Sequence, residues 1–324
     1  MNGRIFYAFS PGKGMLEQVA EPAGPRPILV SAYYLQKKKK DGDILEGWYE
    51  YAKPYPLLLD SGVFTFRDKL GFGFKQGLHF HLMTDDDKGV VLGRGLTNQT
   101  EMDDFVDSYI LYLKKNKGLY DYVVEMDVDE FMGVEVADIY YKKLCEAIPN
   151  EQIIRVWHST RTFENWIEWC ETPSISYLAI EGSSQHGRDP QFYRKFIDYA
   201  RQHGKKTHVF ALTAPTFLTR VDVDTVDSSS FAVGGRYALV YTPIGCVSFA
   251  KQTTKNNKKN YYHLTDDDRV AVDSWITSKG FTIEDIQDSW QSRNILNLFY
   301  FDDFVDVPYV AQMQSYDIFL DRFI

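Results

Sequence analysis

The sequence predicts an α/β protein of the (β/α)8 type, a TIM-like barrel, irregular between its last two strands and followed by C-terminal helices. Three observations predict it. Eight short runs rich in Ile, Val, Leu, Tyr and Phe recur at 28–34, Leu57–Asp60, 122–127, 153–158, 177–181, 207–212, Thr225–Ser228 and 237–241. They are nearly continuous in apolar residues, as strands covered on both faces should be. Helical patterns fill several gaps, at 102–115, 134–147, 162–170 and 191–203, the last ending at His203-Gly204, a C-cap signal. Two runs end in an aspartate, Asp60 and Asp127, and a third carries Asp227 next to its end ahead of three serines, which is how a barrel sets acids on its catalytic face.

The elements fall into a barrel over 1–263 and a helical extension over 264–324, with helices expected at Asp266–Ser278, 283–299 and 312–323. The link from Ser229 to Arg236 is too short for a full helix, so the regular pattern fails there. A Gly-rich insertion at 67–100 follows the second run and reads as a lid or substrate-binding loop.

Composition excludes several classes. The 324 residues are 44% hydrophobic and 25% charged, ordinary for a soluble domain. No apolar run reaches roughly 18 residues and no cleavable leader is evident, so a cytoplasmic protein is expected. Cys145, Cys170 and Cys246 are scattered, which implies neither a disulfide framework nor a closed zinc site. A net charge of −9 argues against general nucleic-acid binding, but Lys37–Lys40 and the group Lys251, Lys255, Lys258 and Lys259 are local basic runs, or simply solvated loops.

Asp60 heads the candidates: Asp60-Ser61-Gly62 sets a carboxylate at the barrel mouth, unless it only caps the next helix. Asp227 is followed by three serines, with Arg236 as a cation close in sequence; the pair acts as an ionised nucleophile or merely ties two strands. Asp127 clusters with Asp129 and Glu130, either a base-reading acid or a divalent-metal site. His158 and His208 sit at strand ends, as ligand donors or as structural hydrogen-bonders. Gly182 opens a Gly-Ser-Ser-Gln segment able to nest a carbonyl or phosphate. No Walker loop, dinucleotide fingerprint, zincin motif or nucleophile elbow is present.

The order of Leu57-Leu58-Leu59-Asp60-Ser61-Gly62-Val63-Phe64, Glu125-Met126-Asp127, Tyr177-Leu178-Ala179-Ile180-Glu181-Gly182, His208-Val209-Phe210-Ala211-Leu212-Thr213, Val226-Asp227-Ser228-Ser229-Ser230-Phe231 and Gly234-Gly235-Arg236-Tyr237 resembles the tRNA-guanine transglycosylase superfamily. It looks most like the phage and bacterial branch that inserts 7-deazaguanines into DNA. The resemblance implies a base exchange: Asp227 as nucleophile at C1′, Asp60 as general acid/base, and Asp127 as reader of the base. Ser61, Phe64, His158, Gly182 and His208 would line the pocket. Arg236, Lys251, Lys255, Lys258 and Lys259 would grip phosphates. The implied partners are DNA (or tRNA) and a 7-deazaguanine base, with no cofactor. The tRNA enzymes carry three clustered cysteines and a histidine as a zinc site. Only Cys246 and His263 stand in that region here, which turns the expectation from tRNA toward DNA and toward no bound metal. A tRNA enzyme, an N-glycoside hydrolase, a non-catalytic nucleic-acid-binding barrel and a metal-dependent barrel enzyme are the competing readings.

Overall fold

Strands apolar on both faces need cover on both, and a closed parallel barrel inside a helical shell supplies it. The computed structural model describes residues 5–37, 44–67, 99–182, 189–251 and 259–305, the side chains of 37, 64, 67, 304 and 305 excepted. The barrel strands are β1 (Ile5–Phe9), β2 (Ile28–Ser31), β3 (Leu57–Asp60), β4 (Tyr122–Val124), β5 (Ile153–Trp157), β6 (Tyr177–Ile180), β7 (Lys206–Val209) and β8 (Thr225–Ser228). They pair in parallel in chain order, and β8 returns to β1 to close the ring. The predicted (β/α)8 barrel is therefore present.

Two run assignments change. The first barrel strand is Ile5–Phe9, and the run at 237–241 lies outside the barrel. That run forms β9 (Leu239–Thr242), antiparallel to β10 (Gly245–Ser248). Only Pro243 and Ile244 join the two, a link long enough for a hairpin and far too short for a parallel crossover. The expected irregularity between the last two barrel strands goes with this correction. The link after β8 holds two short helical turns, Ser230–Ala232 and Val233–Tyr237.

Inside the barrel, Phe6, Leu29, Leu58, Val124, Ile154, Val156, Tyr177 and Ala179 fill the cavity. The outward residues of the same strands, such as Tyr7, Val30, Leu59, Val123 and Ile180, pack under the helices. Helix ends follow local chemistry. Thr162 and Asn165 form a capping box ahead of Phe163–Glu171, and the Asp189 side chain caps Pro190–Gln202.

The tail begins with Asp266–Ser278, as expected, but the predicted 283–299 helix is two, Ile283–Asp288 and Trp290–Val305. Ser289 breaks it: its backbone is extended and its hydroxyl accepts from Ser292 N–H. The 312–323 helix lies outside the described residues, as do positions 68–98 of the insertion. Val240, Val247, Phe249 and Tyr261 share a small core with Val272, Ile276, Ile286 and Leu296, so the hairpin packs with the tail helices. The last helix is also fastened to the barrel, where Asp302 accepts from Tyr7 Oη at 2.6 Å and from Arg26 at 2.9 Å. No described helix is long and apolar enough to cross a membrane.

Candidate active site

Side chains alternate along a strand, so the inward residues of the barrel interior fix which neighbours reach its mouth. Leu58 points inward on β3, and two residues on so does Asp60, at the strand's C-terminal end. On β8, Thr225 and Asp227 form the inward row. The two predicted catalytic acids therefore come from strands either side of the β1–β2 pair and share the barrel's C-terminal mouth.

Their electrostatics agree with that placement. Burial first, and then the charge of Asp227, pushes the Asp60 carboxyl up to about 6. Asp60 Oδ2 accepts from Gly62 N–H at 3.1 Å. Gly62 has φ +76°, and a Cβ there would meet Tyr33 Cβ at 2.4 Å and Ser31 Oγ at 2.5 Å. The glycine is thus required by the neighbouring strand end.

Asp227 is held from one side. Its Oδ1 accepts from Ala211 N–H at 2.8 Å and lies 3.3 Å from His208 Nε2. Ala211 sits at φ +52°, the left-handed region that a residue with a Cβ rarely adopts, and this turn aims its N–H at Asp227. No described residue hydrogen-bonds Oδ2. The sequence expectation of a nearby Arg236 is corrected: Asp227 pairs with His208, and Arg236 is exposed on Val233–Tyr237.

His208 does not meet a ligand as predicted. It is fully buried, with Nδ1 2.9 Å from Thr225 Oγ1, which in turn contacts Tyr177 Oη. One proton assignment satisfies the column: Tyr177 donates to Thr225, Thr225 to Nδ1, and Nε2–H to Asp227. His208 orients Asp227. Ser61 is likewise misplaced by the sequence reading, being buried with its hydroxyl accepting from Val63 N–H at 3.2 Å. The side chain of Phe64 falls outside the described residues.

Asp127 follows β4 and is nearly enclosed. Burial raises its pKa well above the ordinary value; His158 opposes this and Asp60 adds to it. Its Oδ1 is buried without a hydrogen-bond partner. His158, at the end of β5, lies behind it: Nε2 is 4.0 Å from Asp127 Oδ2, and Nδ1 is 2.7 Å from Asp129 Oδ1. Asp129 continues the chain of charges to Arg161 Nε at 3.1 Å, and Arg161 and Arg155 both reach Asp138, at 3.0 and 2.5 Å. His158 is 2% exposed, so its predicted contact with substrate becomes a contact with Asp127. Among the described residues no group of three or more His, Cys, Asp or Glu is arranged to hold a metal ion.

Gly182, at the end of β6, has a packing reason. A Cβ there would lie 1.8 Å from the carbonyl oxygen of Phe210, which follows β7. Residues 183–185 of the expected nest lie outside the described residues. Gly182→Ala is expected to cost about 1–3 kcal/mol by overpacking. It should also displace the 210–211 turn that serves Asp227, so a melting curve and an activity assay should fall together.

Four residues escaped the sequence reading. Ser31 pairs in register with Asp60 and follows the inward Leu29, and its buried Oγ has no hydrogen-bond partner. Glu181 accepts from Ser159 N–H at 3.0 Å at the end of β6, with its pKa raised by burial. Ala211 carries the turn described above. Buried Glu125 is pushed up to about 7 by burial, against the pull of Arg155, and its Oε1 accepts from Val156 N–H at 2.5 Å. Of the predicted phosphate-binding cations, Lys251 pairs with Asp288 at 2.8 Å, Lys259 is exposed, and Lys255 and Lys258 lie outside the described residues.

No protein-family model matches this chain, and no curated protein matches it significantly. Among solved structures, it is similar to a GH10 endoxylanase retrieved from a sugarcane soil metagenome. That match has 11% identity and a TM-score of 0.36, covering 65% of this chain and 68% of the other.

Proposed function

We propose that the protein is a glycosyl-transferring enzyme that exchanges guanine in DNA for a 7-deazaguanine base. The carrying observation is the pair Asp60 and Asp227 at one mouth, electrostatically coupled, with Asp60 poised near pH 6 and Asp227 anchored through one oxygen only. Two carboxyl groups so placed suit a double displacement at an anomeric carbon, by the logic of a retaining glycosidase.

In the first step Asp227 Oδ2 attacks C1′. The C1′–N9 bond breaks, its electron pair goes to the departing guanine, and Asp60 supplies the proton. In the second step Asp60 takes the N9 proton of the incoming base, whose N9 displaces Asp227 from C1′. Protons balance over the two steps, and no redox or nucleotide cofactor takes part. His208 and the Ala211 N–H hold Asp227 in line, while Asp127 faces the base edge. A duplex target would present its base flipped from the stack. Exposed Arg236 and Tyr237, on the turn after β8, suit a phosphate and a neighbouring base.

The test is to incubate the protein with DNA and a 7-deazaguanine, digest to nucleosides and analyse by mass spectrometry. A modified deoxynucleoside supports the reading. Incorporation into tRNA alone moves the substrate but keeps the chemistry. Free guanine without incorporation marks a hydrolase, and no turnover on either nucleic acid leaves a binding module.

A further inference from the structure

Asp227 is held by His208, and what holds His208 reaches back through the barrel. Its ring is fully buried between Phe6 and Phe210, with centroids 6.1 and 4.5 Å away. On the side away from Asp227, Nδ1 is 2.9 Å from Thr225 Oγ1, and Thr225 contacts Tyr177 Oη. Tyr177 and Thr225 are the first residues of β6 and β8, at the end of the barrel opposite the mouth. Tyr122, which opens β4, packs edge-on against Tyr177 with centroids 5.1 Å apart. Its hydroxyl accepts from Nζ of Lys206, the first residue of β7, at 2.8 Å. A column of side chains therefore runs from the barrel floor to the nucleophile. The N-terminal face of such a barrel ordinarily serves stability, and nothing in base exchange at the mouth by itself calls for hydroxyls there.

We propose that Thr225 and Tyr177 are positioning residues that act through His208: their hydroxyls fix the imidazole as an Nε2–H donor, which commits Asp227 Oδ1 and leaves Oδ2 as the attacking oxygen. The inference rests on the reading of Asp227 as nucleophile. It deepens that reading by placing part of the machinery at the far end of the barrel.

Proton counting sets the direction. Tyr177 is 1% exposed, and Thr225 Oγ1 is the one hydrogen-bond partner of its hydroxyl among the described residues. A buried O–H without an acceptor forfeits a hydrogen bond, so the phenol donates to Thr225. Burial raises the Tyr177 pKa, which keeps that proton in place. Thr225 has a single proton and two acceptors in reach, Nδ1 at 2.9 Å and the Thr207 carbonyl oxygen at 3.5 Å. The shorter contact takes it. Nδ1 is then an acceptor, and a neutral ring carries its proton on Nε2, aimed at Asp227 Oδ1 3.3 Å away. The reverse tautomer would set the Nε2 lone pair against a carboxylate oxygen and leave the Thr225 proton on the longer contact. Ala211 N–H meets the same Oδ1 at 2.8 Å, so both donors converge on one oxygen. With His208 enclosed, a hydroxyl lost from the column is not replaced by solvent.

The test joins NMR of protein labelled on its histidine ring nitrogens to steady-state base exchange, with melting curves to score folding. His208→Gln identifies the His208 signals among the seven histidines. Wild type should show a protonated Nε2 and an unprotonated, hydrogen-bonded Nδ1. Thr225→Val keeps the shape and removes the hydroxyl. Its Nδ1 signal should move to that of an unpaired ring nitrogen, and kcat should fall by about tenfold with KM changed by less than about twofold. Thr225→Ser should restore both, and Tyr177→Phe should lie between; if Thr225→Val does not fold, Tyr177→Phe carries the comparison. A wild-type ring protonated on Nδ1, or on both nitrogens, overturns the inference. So does wild-type kcat in a Thr225→Val or Tyr177→Phe protein, or an equal loss in Thr225→Val and Thr225→Ser. In each of those cases wild type still exchanges bases and the reading of Asp227 stands. Wild type that exchanges no base on DNA or tRNA removes that reading, and the inference with it.

Discussion

Asp227→Asn protein is expected to fold as wild type does and to lose base exchange by on the order of 10³-fold or more. The substitution preserves shape and an acceptor oxygen, so the contacts from Ala211 N–H and His208 Nε2 survive. What disappears is the nucleophilic charge on the second oxygen. Asp227→Ala should lose activity equally and also melt earlier, because a buried N–H and an imidazole are left unpaired at about 1–3 kcal/mol. Nucleoside mass spectrometry and thermal melting measured on both variants separate chemistry from folding. Exchange persisting in Asp227→Asn at near wild-type rate would remove the covalent mechanism.

Asp60→Asn should show the second largest effect, about 10²- to 10⁴-fold in exchange rate, the range for a removed general acid/base. The wild-type rate should carry a limb near pH 6, where Asp60 changes charge, and the variant should lack it. Stability moves the other way. A carboxyl whose folded pKa is above its ordinary value favours the fold when protonated, so the wild type loses stability as pH rises from the ordinary value of 3.8 toward 6. Asparagine carries no charge at any pH. The variant should be more stable above that window by about 1–2 kcal/mol, allowing for the partial exposure of Asp60, and the gain should vanish in acid. Denaturant titrations at two pH values check the sign.

Much of this was readable beforehand, for a definite reason. β3, β5 and β6 are largely apolar runs bounded by turn residues, and the acid closing β3 stands out against them. The barrel's first strand, Ile5-Phe6-Tyr7-Ala8-Phe9, carries the same signal but was displaced by the run at 237–241. Apolar content does not distinguish a parallel strand from one arm of a hairpin; the two-residue link does. Ser61 follows the expected strand and His208 lies inside β7 rather than at its start, and both are buried, since residue type does not reveal burial. Ser31 becomes visible only once pairing register is known. Ala211 is invisible in sequence because nothing about an alanine announces a positive φ.

The pairing of Ile5–Phe9 with Thr225–Ser228 also carries a consequence for biogenesis. The first strand of the barrel to be synthesised keeps one edge unsatisfied until the eighth has been made, an invitation to intermolecular pairing that slow elongation or a chaperone would have to manage. Asp227 is seated by that same final closure. Nascent chains stalled short of Thr225 should therefore be both aggregation-prone and inert, whatever else they have already folded.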